Sequence, residues 1–172
     1  LAHRGISTPG QVDYQLKHLL PYHQLKGIGQ AVGLLVDALQ AQQHIVIVGD
    51  FDCDGATSTS LAMLALGAMG AHNVSYLVPN RFDFGYGLSP ALVDYAQASP
   101  PDLIVTVDNG IASHAGVDRA HELGIKVLVT DHHLAADTLP AADAIVNPNQ
   151  PGCDFPFKST AGVGVIFYVM SA

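Results

Sequence analysis

The stretch His44–Gly55, "HIVIVGDFDCDG", joins a β-branched apolar run to three carboxylates on alternate residues and then a glycine. The apolar run is typical of a buried strand. An EF-hand calcium loop also begins with alternating acids, but it needs a preceding helix and a bidentate Glu at its twelfth position. Counted from Asp50, that position is occupied by Leu61. We therefore interpret the stretch as a strand that ends in an acidic loop.

Further apolar runs alternate with helical patterns along the rest of the chain. The predicted strands are His44–Gly49, Val74–Pro79, Leu103–Val107, Lys126–Thr130 and Ala144–Asn147. The predicted helices are Gly29–Gln42, Thr57–Met69, Pro90–Ala98, Ala112–Leu123 and Thr160–Met170. This alternation predicts an α/β fold, with a parallel β-sheet covered by helices on both faces.

The composition is that of a single globular domain. Of the 172 residues, 49% are hydrophobic and 13% are charged, which argues against disorder. We divide the chain into a helical lead-in, residues 1–43, and an α/β metal-binding core, residues 44–172. Because the chain starts without Met and stops inside an apolar helical pattern, we expect a truncated fragment of a longer protein. The two cysteines form no framework of the secreted kind, so we expect a cytoplasmic location.

The formal net charge of −8 argues against a broad basic face that grips nucleic acid. Acids gathered around metal ions would produce the same imbalance, and bound cations change the local sign of the charge. The net charge therefore leaves a nucleic-acid substrate possible.

Acidic and imidazole side chains follow three of the predicted strands, at the sheet edge where ligands bind in such folds. They are Asp50, Asp52, Asp54, Asp108, Asp131, His132 and His133. For any single Asp, a helix cap or turn is the simpler interpretation. It fails for the whole group, because crowded carboxylates repel one another unless cations lie among them. Carboxylates with one or two imidazoles suit Mn²⁺ or Mg²⁺ better than zinc, and two ions sharing a carboxylate would use this many ligands.

Five segments, in order, resemble the DHH phosphoesterase superfamily and, within it, the RecJ-type single-strand-specific exonucleases. They are "VGDFDCDGATSTSL", "YLVPNRFDFGYGLS", "LIVTVDNGIASHAGV", "VTDHHL" and "NPNQPGCDFPFKSTAGVGVIFY". The resemblance implies five metal ligands, with Asp108 as the bridge: Asp50, Asp52, Asp54, Asp108 and His132. It also implies that Asp131 orients His132 through its ring N–H and that His133 faces the scissile phosphate. A packed imidazole without a catalytic role is the alternative for His133.

The loop "NRFDFGYGL" contains Arg81 and Tyr86, which the resemblance suggests as contacts to substrate phosphate or base. An Arg can fork onto phosphate and a Tyr can stack on a base. The alternative is an ordinary loop in which Arg81 pairs with Asp83.

The resemblance implies metal-dependent hydrolysis of single-stranded DNA in the 5′ to 3′ direction, releasing 5′ mononucleotides in DNA repair and recombination. A single-strand-binding protein and a helicase are the implied partners. We expect no membrane association, because the sequence has neither a signal-like start nor a long uninterrupted apolar span. A phosphodiesterase acting on oligonucleotides or cyclic dinucleotides is an alternative, as is a non-catalytic DHH-fold scaffold. The family pattern includes a later metal-binding Asp and a second domain that have no counterpart in this sequence. We therefore expect the isolated chain to be weakly active or inactive.

Overall fold

Five strands form one wholly parallel sheet in a computed structural model that describes residues 6–13 and 15–172. The strands are β1 (Ile45–Gly49), β2 (Val74–Leu77), β3 (Leu103–Val107), β4 (Lys126–Thr130) and β5 (Ala144–Val146), in the spatial order β2-β1-β3-β4-β5. The helices are α1 (Ile28–Gln40), α2 (Cys53–Ala68), α3 (Arg81–Phe84), α4 (Pro90–Ala96), α5 (His114–Glu122) and α6 (Gly162–Ser171). Short 3₁₀ turns precede them at Pro9–Val12, Leu16–His18 and Tyr22–Gln24. The predicted α/β fold with a parallel sheet is confirmed.

The central strands are apolar on both faces because each face is covered by helices. Along β1, Ile45 and Ile47 belong to a core that includes side chains of α1, α2 and α6. Val46 and Val48 alternate with them and pack in a second core with side chains of α4 and α5. This double burial explains why the strand sequences are continuous apolar runs and not alternating ones.

The boundary of α2 differs from the sequence prediction in a way that matters for the acidic loop. The helix begins at Cys53 and not at Thr57, because Asp52 Oδ1 accepts a hydrogen bond of 2.9 Å from the Gly55 N–H and caps it. Asp54 therefore lies in the first helical turn and not in a loop. The short helix α3 was not predicted, since four residues carry too little periodicity to be recognised.

The strand order brings the acidic segments together. In the sheet, β1 pairs with β3, and β3 pairs with β4, so the loops that follow these three strands emerge side by side. Two backbone bonds extend the pairing past the strand ends, from Asp108 N–H to Thr130 O (3.1 Å) and from Asp131 N–H to Val146 O (3.1 Å). Across the described part of the chain, no helix has the length and hydrophobicity that a membrane crossing would need.

Gly55 allows α2 to start directly against the end of β1. A Cβ atom at this position would lie 2.3 Å from the backbone oxygen of Asp50, a separation that real contacts do not reach. The glycine is therefore required by the close approach of helix and strand.

We expect Gly55→Ala to destabilise the chain by about 1–3 kcal/mol, because the extra methyl group must displace backbone. Gly33→Ala in α1 is the matched control, since a Cβ there meets nothing within 4 Å. That control should raise the stability by roughly 0.5–1 kcal/mol, the usual gain from replacing a helical glycine. Urea unfolding measures both values, and a stabilised Gly55→Ala variant would contradict the packing described.

Candidate metal centre

Asp108 lies at the middle of the acidic edge, directly after β3. Its backbone is left-handed, with φ of 62°, a conformation that Asp adopts more readily than most residues. The side chain is 1% exposed, and Oδ1 lies 3.0 Å from His132 Nε2. No donor in the described part of the chain forms a well-aligned hydrogen bond with that oxygen. A buried carboxylate oxygen without a hydrogen bond is costly, and a cation bound beside it would offset that cost.

Two groups of metal-ligand side chains meet at Asp108. In one group, ligand atoms of Asp50, Asp52 and Asp108 all lie within 4.8 Å of one another. In the other, ligand atoms of Asp108, His132 and His133 do so. Asp108 belongs to both groups, which is the position that a carboxylate shared by two ions must have.

Asp50 and Asp52 carry local structural roles as well. Asp50 is buried and its Oδ1 accepts from the Phe51 N–H at 2.7 Å, whereas Asp52 is exposed and caps α2. The cap interpretation is therefore correct for Asp52, and it leaves Oδ2 available. Capping and metal binding are compatible, because each carboxylate has about four lone-pair sites.

Asp54 is held by the first residues of α6. Its two oxygens accept hydrogen bonds from the Gly162 and Val163 N–H groups, at 2.7 Å and 2.8 Å. A helix N-terminus favours a negative charge, so α6 stabilises this carboxylate as an anion. Asp54 Oδ2 also lies 3.7 Å from His132 Nε2, which brings Asp54 to the border of the cluster.

Gly162 also makes room for Asp108. A Cβ atom on Gly162 would lie 2.6 Å from Asp108 Oδ1. The start of α6 thus lies against two acids of the cluster. Its amides donate to Asp54, and Gly162, which has no side chain, lets Asp108 approach closely. Sequence reasoning did not identify this contribution, and the glycines of "AGVGV" were its only signal.

Asp131 orients His133 and not His132, so the expected partner was wrong. Its Oδ1 lies 2.7 Å from His133 Nδ1 and accepts the backbone N–H groups of both histidines, at 2.7 Å and 3.1 Å. Its Oδ2 accepts from the Ile111 N–H at 2.9 Å. These backbone bonds fix the position of the Asp131 carboxylate, and His133 is the histidine whose ring contacts it. The ring of His132 lies against Asp108 instead.

His133 and Tyr86 lie on the open side of the cluster, with ring centroids 6.1 Å apart in an edge-to-face arrangement. Burial lowers the pKa of His133, but the hydrogen bond to Asp131 and the charges of Asp131, Asp108 and Asp50 outweigh it and raise the pKa. Burial, followed by the charges of Asp50, Asp131 and Asp108, raises the pKa of the half-exposed Tyr86. Tyr86 is therefore a neutral hydroxyl at physiological pH.

A cavity of about 690 Å³ opens beside these side chains. One wall contains Asp50, Asp52, Asp131, His133 and Tyr86. The rest is formed by uncharged residues, which are Phe51, Leu134 and the segments 88–90, 110–113 and 115–116. Its volume lies in the range typical of small-molecule sites. Arg81 begins α3, and its side chain falls outside the described part of the chain. The role of Arg81 as a contact to substrate stays a prediction.

The donor set fits divalent cations such as Mn²⁺ or Mg²⁺. Oxygen ligands predominate, with one or two imidazoles, and the described cluster has no thiolate donor as a zinc site would usually have. Burial, then the charges of Asp54 and Asp52, raise the pKa of Asp108 from 3.8 to about 7, although His133 lowers it. A cation at this position would remove that penalty. Asp50, Asp52, Asp54, Asp108 and His132 could hold such ions, with His133 within reach.

Asp108→Asn should reveal this penalty in the metal-free chain. A carboxyl whose pKa is higher in the folded state binds its proton more tightly there, so its contribution to stability falls as the pH rises from about 4 to about 7. At about pH 8 the variant should be more stable by roughly 1–4 kcal/mol, since one pKa unit corresponds to about 1.4 kcal/mol. At about pH 4 the two proteins should be similar.

Urea unfolding in the presence of a chelator measures this difference, and Asp37→Asn, at an exposed position of α1, is the control for the exchange of Asp for Asn. Asn also accepts the left-handed backbone at position 108, so strain does not confuse the result. An equal stability difference at both pH values would contradict the assignment.

Comparison with known proteins agrees with the site. The family model for the DHH family, N-terminal domain, matches residues 44–172. The single-stranded-DNA-specific exonuclease RecJ of Escherichia coli K12 is 57% identical over 171 residues, which are 99% of this chain and 30% of the relative. The chain thus spans about 30% of the length of that relative.

Solved structures give the same result. A crystal structure of exonuclease RecJ bound to manganese superposes with a TM-score of 0.79 at 36% identity, covering 88% of this chain and 38% of that one. RecJ from Thermus thermophilus in complex with Mn²⁺ gives a TM-score of 0.77 at 34% identity, and the match covers 98% of this chain and 23% of that one. The resemblance expected from the five segments is confirmed. Since the family model covers most of the sequence, the chain belongs to the DHH family.

Proposed function

We propose that the full-length protein hydrolyses phosphodiester bonds in single-stranded DNA, from the 5′ end and with release of 5′ mononucleotides, using Mn²⁺ or Mg²⁺. The relatives with more than half of their aligned residues identical are named as single-stranded-DNA-specific exonucleases. Two similar structures are described as RecJ with manganese. Because the chain spans about 30% of these relatives, other parts of the protein would contribute to substrate binding.

The observation that carries this proposal is the convergence of ligand side chains on Asp108, a buried carboxylate whose Oδ1 has no hydrogen-bond partner among the described residues. We assign as metal ligands Asp50, Asp52, Asp54, Asp108 and His132. Asp108 would bridge two ions, because it is the member common to both groups. When bound, such ions activate water for attack on phosphorus and offset the charge of the phosphate.

Asp131 and His133 act on the substrate side in this proposal. Asp131 Oδ1 lies 2.7 Å from His133 Nδ1, so Nε2 is the ring nitrogen that remains free to form a hydrogen bond with the phosphate. The raised pKa of His133 favours the doubly protonated ring, which donates a hydrogen bond or a proton to an oxygen. Asp131 is thus a positioning residue, and His133 is the group that would touch the scissile phosphate.

The cavity next to the cluster suits one nucleotide at the point of cleavage. Its largely uncharged walls can receive a sugar and a base, while the acids at one side mark the position of the cations and phosphate. Tyr86 lines the cavity, is half-exposed and could contact a base. Arg81 is proposed as a phosphate contact because guanidinium and phosphate form paired hydrogen bonds.

The biological setting follows from this activity as a further part of the proposal. An enzyme that degrades single strands from the 5′ end would serve DNA repair and recombination in the cytoplasm. It would work beside proteins that unwind duplexes and coat single strands.

The test compares a long 5′-phosphorylated single strand, its duplex and a cyclic dinucleotide as substrates of the full-length protein with Mn²⁺. We expect mononucleotides released from the 5′ end of the single strand, and little turnover of the other two. Asp108→Asn should lower the rate at least about a hundredfold, which corresponds to about 2.7 kcal/mol of transition-state stabilisation. The exposed Asp37→Asn should leave the rate unchanged.

Each alternative has its own signature in this experiment. Preferred turnover of the cyclic dinucleotide would support a small-molecule phosphodiesterase of the same superfamily. Absence of both cleavage and Mn²⁺ binding would support a DHH-fold scaffold. If Asp108→Asn released mononucleotides at the normal rate, Asp108 would have only a structural role.

A further inference from the structure

We infer that Asn147 and Asn149 are positioning residues of the metal centre, fixing the backbone that carries His132 and His133. The inference rests on the proposed function, since it concerns the geometry of the same site. Neither asparagine is among the candidate ligands, and both lie on the segment "NPN" directly after β5.

Asn147 holds the carbonyl of His133. Its Nδ2 donates to His133 O at 3.0 Å, and its side chain is fully buried. Its Oδ1 accepts the Asn149 N–H at 2.7 Å, which closes a tight turn. Both ends of the amide are therefore used, and one of them fixes the direction of the second asparagine.

Asn149 holds the carbonyl of His132. Its Nδ2 donates to His132 O at 2.5 Å and to Lys158 O at 3.0 Å. Lys158 in turn closes the loop, because its Nζ donates to Pro148 O at 2.6 Å and to Cys153 O at 2.8 Å. Asn149 is thus bonded to a loop that is held by its own hydrogen bonds. Its position is therefore fixed independently of His132.

These bonds matter because carbonyl direction and side-chain direction are linked through the backbone. Three successive residues are anchored to β5 and the turn after it, Asp131 by its N–H and the two histidines by their carbonyls. Rotation of either peptide would swing an imidazole away from its partner. The partners at risk are Asp108 for His132, at 3.0 Å, and Asp131 for His133, at 2.7 Å.

Gln150 provides a matched control from the same segment. It is buried, and its Nε2 donates to two carbonyls, Lys26 O and Ile145 O, both at 3.0 Å. Substitution of Gln150 by Ala therefore removes two hydrogen bonds from a side-chain amide to backbone carbonyls, as substitution of Asn149 does. Its bonds tie the lead-in to β5 and do not reach either histidine.

The experiment measures Mn²⁺ affinity of the full-length protein by the electron paramagnetic resonance signal of free Mn²⁺, together with urea unfolding. We expect Asn149→Ala to weaken Mn²⁺ binding by about 10- to 100-fold, the usual effect of losing a partner that orients a ligand. Gln150→Ala should be destabilised as well, but should change the Mn²⁺ affinity less than about twofold, since no ligand loses its support.

Asn149→Ser, with a shorter donor, provides a second variant in case the alanine protein does not fold, and it should weaken Mn²⁺ binding in the same direction. Unchanged affinity in a folded Asn149 variant, or equal losses in the Asn149 and Gln150 variants, would overturn the inference. Absence of Mn²⁺ binding by the natural protein would instead overturn the proposed function. The two failures are therefore distinguishable.

Discussion

The structure depends on burying one carboxylate among others at the end of the central strand. Asp108 is almost fully buried and has one oxygen without a hydrogen bond in the described part of the chain. It shares one group of close ligand atoms with His132 and His133 and another with Asp50 and Asp52. In an apolar surrounding such crowding raises the pKa and favours the neutral acid. Divalent cations are the chemical partners that relieve this repulsion while keeping the acids charged. Divalent cations bound at this sheet edge would therefore offset a cost that the metal-free chain carries.

The surrounding elements support that arrangement by bringing backbone groups to the acids. The first amides of α6 donate hydrogen bonds to Asp54, and Gly162 leaves the space that Asp108 fills. Gly55 lets α2 approach the end of β1 closely enough for Asp52 to cap it. Helix α6 is far from the acidic loop in sequence, yet it contacts the same cluster. The position of α6 therefore also fixes the surroundings of Asp54 and Asp108.

The sequence was sufficient for the parallel sheet, because buried strands here are β-branched runs separated by helical periodicity. It also identified which residues gather at the edge, since strand order places their loops together. The sequence was insufficient to predict side-chain contacts that depend on the local path of the backbone. The partner of Asp131 depends on how one loop turns, and the start of α2 depends on a cap whose Asp was assigned to a different role. The side-chain amides of Asn147 and Asn149 gave no periodic or charge pattern by which they could be recognised.

The central claim is that two divalent cations share Asp108. Anomalous diffraction at the manganese absorption edge, from crystals grown with Mn²⁺, measures the number and position of such ions directly. The account predicts two anomalous peaks, one on each side of the Asp108 carboxylate, with the Asp50 and Asp52 group facing one and His132 facing the other. Peaks located away from Asp108, or one peak that its carboxylate does not touch, would contradict it.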